Sequence, residues 1–120
     1  MADIKYSISD LVDDPSKSIK VVILAGQLDE SNVDQFAPKM YEMIQAMAAK
    51  TSVIFDFQQL TYLNSKSIGY FADFYNQITA KGGKIIIAKA PSNIKDILNV
   101  VGMDQMISMT QTMQEAKLMA

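Results

Sequence analysis

VIFDFQQLTYLNSKSIGYFADFYNQITAKGG, residues 53–83, reads as a buried strand, a loop and a helix closed by a glycine pair. Val53, Ile54, Phe55 and Phe57 form a short apolar run rich in β-branched and aromatic residues, as expected of a strand covered on both faces. Asp56 interrupts it near its expected C-terminal end. A loop, residues 58–63, then leads to Asn64-Ser65-Lys66-Ser67, and apolar residues follow at Ile68, Phe71, Ala72, Tyr75 and Ile78. Those intervals of three and four put them on one helical face. Asn64 and Ser65 are residue types that cap helix starts, because a side-chain oxygen accepts from the unpaired amides of the first turn. Lys81 falls in the last turn, and Gly82 suits the left-handed position that follows a helix. Two hydroxyls and a lysine thus stand at the positive end of a helix, beyond the C-terminal end of a buried strand. Open α/β sheets tend to place ligands and functional groups there. Taken alone, the pattern first reads as a cap.

On the N-terminal side, Ile4, Tyr6 and Ile8 alternate with Lys5, Ser7 and Ser9, the period of a half-exposed edge strand. Residues 11–18, with Asp13-Asp14-Pro15, make a turn. Residues 20–26 (KVVILAG) form a second strand, which a hairpin would join to the first. Residues 31–50 carry a helical pattern at Val33, Phe36, Ala37, Met40, Ile44, Met47 and Ala48, with Ser31 and Asp34 resembling a capping pair. Pro38 is comfortable only in a first turn, so the regular helix is expected to start near Ala37. On the C-terminal side, residues 84–88 (KIIIA) are a short strand, and Pro91-Ser92 opens a helix with Ile94, Ile97, Leu98 and Val101 on one face, closed by Gly102. Residues 106–110 read as a final edge strand and residues 112–120 as a last helix. Strands alternating with helices predict one domain, residues 1–120, of the α/β class. Its sheet is mixed and largely parallel, with four to five strands packed with about four helices.

Composition removes many chemistries. The 120 residues contain no Cys and no His, so thiolate nucleophiles, disulfides and the commonest general base and metal ligand are missing. All 11 basic residues are Lys, which leaves no guanidinium for a bidentate clamp. A net charge of −2 without a basic cluster argues against a nucleic-acid partner. No apolar run approaches the ~20 residues of a membrane span, and the acidic N-terminal stretch does not resemble a signal peptide. No direct membrane insertion and a cytoplasmic location are the expectations. The nine Met residues fall mostly at helix positions and read as flexible core filler.

The element order, together with three local motifs, resembles the STAS domain of bacterial anti-sigma factor antagonists. Leu24-Ala25-Gly26-Gln27-Leu28-Asp29 looks like that family's G-x-L-D after the second strand. Residues 56–69 (DFQQLTYLNSKSIG) are similar to its strand–loop–helix signature, in which an aspartate ends the strand and D-S-[ST]-G-[LIV]-[GA] opens the helix. Val101-Gly102-Met103-Asp104 resembles its C-terminal G-L-D segment. The resemblance implies a regulatory binding protein and no enzyme. A serine at the helix start is phosphorylated by an anti-sigma factor that is a serine kinase and released by a Ser/Thr phosphatase, and the unphosphorylated form binds the anti-sigma factor. By alignment the acceptor falls on Ser65, with Ser67 as second choice. The partner surface is expected at Asp29, Tyr62, Leu63, Asn64, Lys66, Ser67, Tyr70 and Phe74; Tyr70 and Phe74 enter it because they lie off the main apolar stripe of the helix, and core packing accounts for them equally well. The chain departs from the family pattern at three places: Asn64 replaces Asp, Lys66 replaces Ser or Thr, and Ser67 replaces Gly. No cofactor or metal is implied.

Three other readings compete. The fold would serve equally as an unphosphorylated STAS scaffold or a transporter-associated regulatory subunit. A receiver domain would use Asp56 as phosphoacceptor beside Asp13-Asp14 and Lys89. An enzyme would have to draw on Asp29, Asp56 and Ser65, which show no nucleophile–base pairing, and weak nucleotide binding would lack a phosphate-binding glycine loop.

Overall fold

In the computed structural model, which describes residues 3–120, the chain alternates strands and helices around one five-stranded sheet. The strands are β1 (Ile4–Leu11), β2 (Ile19–Leu28), β3 (Ser52–Leu63), β4 (Ile85–Ala88) and β5 (Ser108–Thr110). The helices are α1 (Val33–Ala46), α2 (Ser65–Ala80), α3 (Ser92–Val100) and α4 (Met113–Met119). A 3-10 turn at Met103–Gln105 precedes β5. Strand order follows chain order, β1-β2-β3-β4-β5, with β1 antiparallel to β2 and the remaining pairs parallel. The expected hairpin, the largely parallel sheet and the four helices are all present.

The period-2 alternation along β3 assigns its side chains to two layers. Val53, Phe55 and Phe57 face the larger layer, where α1, α2 and α3 contribute Val33, Phe36, Met40, Phe71, Phe74, Ile78, Ile94 and Leu98. Ile54 faces the smaller layer, in which Ile19, Val21, Ile86 and Ala88 are covered by Ala116 of α4. Three consecutive crossovers in one direction, each of the usual hand, place their helices on one side, and the short α4 is left to cover the other. This strand order never reverses, so the sheet has no switch point. At the start of α2, Ser65 and Lys66 are exposed.

Phe71 is the hub of the larger layer. Its ring lies 5.0 Å from that of Phe55, 5.4 Å from Phe57, 5.2 Å from Phe74 and 6.5 Å from Phe36.

Three local expectations are corrected. Residues 58–63 are the second half of β3 and not a loop: they pair with β2 alone, through register shifts between Ile23 and Ala25 and between Gly26 and Gln27. The extra residues break the alternation, so the buried positions Leu60 and Leu63 are spaced by three. Helix α1 starts at Val33 and runs through Pro38, ending at Ala46. Proline there removes one intrahelical donor but leaves burial of Phe36, Ala37, Met40 and Ile44 intact, and that packing outweighs the local preference. Ser31 and Asp34 do not cap it. The N-cap is Asn32, and the Ser31 amide and hydroxyl both donate to Asp29 Oδ1, at 2.8 and 2.6 Å.

The far end of α2 behaves as read. Gly82 has φ 85°, the left-handed conformation. Lys81 does more than complement its own helix: Nζ donates to the Ile44, Gln45 and Met47 carbonyls at the end of α1, at 2.8, 3.3 and 2.5 Å. The Lys50 amide in turn donates to the Lys81 carbonyl at 2.8 Å.

Candidate functional site

The start of α2 is built from the ends of β2 and β3. The Asn64 amide donates to the Leu28 carbonyl at 3.2 Å, which fixes the entry of the helix against β2. Asn64 is the N-cap: its Oδ1 accepts from the Ser67 amide at 2.9 Å. The Ser67 hydroxyl donates to the same oxygen at 2.6 Å, with the Leu28 carbonyl farther away at 3.4 Å. Ser67 is fully buried, so the Ser that replaces the family's Gly completes the cap from inside. Ser67 is the second choice as acceptor on the sequence, and this burial removes it as an accessible one.

Ser65 is the first helical residue and not the cap. It is exposed. The amides of Ser65 and Lys66 have no partner within the helix, as geometry requires of a first turn. The site therefore offers an exposed hydroxyl at the positive end of a 16-residue helix, with the capping task discharged by its neighbour.

Replacing Asn64 with alanine is expected to cost about 1–2 kcal/mol, since it removes the cap and leaves the buried Ser67 hydroxyl with the longer bond to the Leu28 carbonyl. Asn64→Asp should be close to neutral. Urea unfolding followed by circular dichroism checks this, and equal midpoints for the wild type and Asn64→Ala would show that the cap contributes nothing.

Beside Ser65 lies a charged bridge between helices. Lys66 Nζ donates to Asp34 Oδ2 at 2.8 Å and the Tyr70 hydroxyl donates to Asp34 Oδ1 at 2.7 Å. Lys66, then Tyr70, hold the Asp34 carboxyl below the usual carboxylate range. Asp34 reciprocally raises both the Lys66 ammonium and the Tyr70 hydroxyl. A second bridge follows along the same seam, where the Tyr41 hydroxyl donates to Asp73 Oδ2 at 2.6 Å. Burial first, and this carboxylate second, push the Tyr41 hydroxyl upward.

The expected partner surface is only partly a surface. Tyr62 is 46 % exposed and Lys66 is exposed. Tyr70 is half-buried, with its hydroxyl on Asp34. Leu63 and Phe74 are buried in the larger core layer. Phe74 stacks on Phe55 and Tyr70 with centroids 6.2 and 6.4 Å apart, so its place off the main apolar stripe reflects a wide core face. Asp29 is half-buried, and Ser31, chiefly through its hydroxyl and then its amide, holds the Asp29 carboxyl below the usual range. Sequence reasoning missed Asp34. The one hint was its position at the start of α1, and its partners lie 32 and 36 residues away.

The receiver reading fails on geometry. Asp13 and Asp14 lie in the turn before β2, at the end of the sheet where Ile19 pairs with Ser52, whereas Asp56 pairs with Ile23 farther along. Lys89 does reach Asp56, at 3.5 Å. Their pair closes one side of the polar end of the sheet, near a groove of about 440 Å³ lined by Gln58, Lys89, Ser92, Lys95 and Thr110. Among the described residues, no helix is long and apolar enough to cross a membrane.

The whole architecture recurs in solved structures. An anti-sigma factor antagonist STAS domain protein of Planctomyces limnophilus superposes with a TM-score of 0.74 at 20 % identity, over 98 % of this chain and 97 % of that one. The anti-sigma factor antagonist SpoIIAA of Bacillus, in its unphosphorylated form, gives 0.73 at 21 % identity over 92 % of each chain. Its phosphorylated form gives 0.65. The murine anion transporter Slc26a9 gives 0.78 at 15 % identity, over 95 % of this chain but 22 % of the transporter. At these identities the likeness is one of fold. The sequence itself carries the family, since the profile of the STAS domain matches residues 13–116, and the chain belongs to the STAS domain family.

Proposed function

We propose that this STAS domain is a regulatory binding module of the anti-sigma factor antagonist type, switched by phosphorylation of Ser65. The observation that carries the reading is the division of labour at the start of α2. Asn64 caps, Ser67 is sealed, and Ser65 is left exposed on the first turn. In the transfer step, Ser65 Oγ attacks the γ-phosphorus of ATP, ADP leaves, and the hydroxyl proton passes to a base of the kinase. Phosphate brings about −1.5 to −2 charges. The helix dipole and first-turn amides favour them by roughly 0.3–1 kcal/mol, so the fold survives while the surface changes sign. The unphosphorylated form binds the anti-sigma kinase, and a Ser/Thr phosphatase restores it.

A second reading, a STAS scaffold or a regulatory subunit of a transporter, is favoured by one observation. Lys66 stands where the family has a second hydroxyl residue, and it is tied to Asp34.

Incubating the protein with ATP and lysate of its host, then mapping phosphate by peptide mass spectrometry, decides between them. Phosphate on Ser65, absent from Ser65→Ala, is the expected result. An unmodified Ser65, in a lysate whose kinases are shown to be active, would leave the scaffold reading.

A further inference from the structure

Lys66 is the next residue after the proposed acceptor, and its charge is already committed. Its ammonium pairs with Asp34 across the α1–α2 seam at 2.8 Å, and the charge of Glu30 also acts on it. Asp34 is the second residue of α1 and Lys66 the second of α2. The pair, with Tyr70 on the other carboxylate oxygen, therefore ties together the first turns of the two helices that flank the site. The tie is weak: the Lys66 and Asp34 side chains are 42 % and 55 % exposed, and solvent screens a pair that open. A phosphoserine dianion offers a single ammonium more charge and more acceptor oxygens than a carboxylate does. Lysine reaches it on a flexible four-carbon stem.

We infer that a phosphate on Ser65 captures Lys66 from Asp34, so that modification severs a link between α1 and α2 as well as adding charge. Asp34 is then left with the Tyr70 hydroxyl alone and faces a like charge, which pushes its carboxylate outward. A partner lying over the seam of the two helices meets a changed α1 surface in addition to the phosphate. The lysine that departs from the family pattern is, on this account, the element that carries the mark from α2 to α1. The inference rests on Ser65 being the acceptor.

The test uses the full chain with phosphoserine installed at position 65 during translation, compared with the same protein carrying Lys66→Gln. Phosphorus NMR gives the second pKa of the phosphate, and carbon NMR gives the pKa of the Asp34 carboxyl. Lys66→Gln should raise the phosphate pKa by about half a unit. In the unmodified chain, Lys66→Gln should also raise the Asp34 pKa, and in the phosphorylated chain that rise should shrink to less than half. Equal phosphate pKa values with and without Lys66 would overturn the inference. So would an Asp34 rise as large after phosphorylation as before it. Because the phosphate is installed directly, neither outcome depends on a host kinase. A host that never modifies Ser65 would count against the proposed function and leave the transfer of Lys66 to be decided by these titrations.

Discussion

Replacing Phe71 with alanine is expected to lower the unfolding free energy by about 3–5 kcal/mol. Phe71 is 2 % exposed and its ring meets aromatic rings from α1, β3 and its own helix. Truncation removes the transfer free energy of the ring. It also leaves a cavity that four stiff aromatic neighbours cannot collapse into, and edge-to-face contacts worth about 0.5–1.5 kcal/mol each go with it. Against a total stability of about 5–15 kcal/mol for a domain, roughly a fifth or more would be lost. The effect bears on the site, because Phe71 and Phe74 hold α2 against β3 and the Ser65 end of α2 has the Asn64 and Asp34 tethers besides. Urea unfolding read by circular dichroism gives the value. A loss below about 1 kcal/mol, with unchanged denaturant dependence, would mean that the aromatic cluster repacks freely.

On the proposed switch, affinity for an anti-sigma kinase should be about a hundredfold lower in Ser65→Asp and in the phosphorylated chain than in the unmodified domain, and should hold within a few-fold in Ser65→Ala. A hundredfold loss is about 2.7 kcal/mol, well within what an unpaired charge in an interface costs. Folding should be untouched, since an acidic residue in the first turn of α2 is favoured by the helix dipole. Calorimetric titration against the partner, with melting curves of each variant, separates lost binding from lost structure. Equal affinity of the alanine and aspartate forms would instead favour the scaffold or transporter-subunit reading.

The α/β class, the hairpin, the parallel order and the buried strand at residues 53–57 were legible because period 2 and period 3.6 are written plainly in those stretches. The second half of β3 was not. Its two register shifts change the apolar spacing from two to three at Leu60 and Leu63, and no periodicity rule recognises a bulge that only the partner strand defines. Helix α1 was misplaced at its start because Pro38 argues for a later one and Asn32, which begins it, offers no side-chain cap, and at its end because Met47 and Ala48 continue the apolar spacing past Ala46. At the start of α2, the capping residue types were legible and the division of roles between them was not. Asn64 and Ser65 are equally good caps in isolation. Which one caps was settled by the Asn64 amide docking on Leu28, a contact 36 residues back in the chain. Phe74 and Leu63 were assigned to a partner surface, and the width of the core face claims both.

The Lys81 ammonium and the Lys50–Lys81 backbone bond clasp the trailing ends of α1 and α2, and this sets the mechanics of the pair. A rod fastened at one end turns about that fastening. Over the 16 residues of α2, about 24 Å at 1.5 Å per residue, a tilt of roughly 2–3° carries the leading end through about 1 Å. The leading end, by contrast, rests on the Asn64 amide at Leu28 and on the Asp34 contacts of Lys66 and Tyr70, so a loss of those contacts would be felt at Ser65 before it reached the clasp.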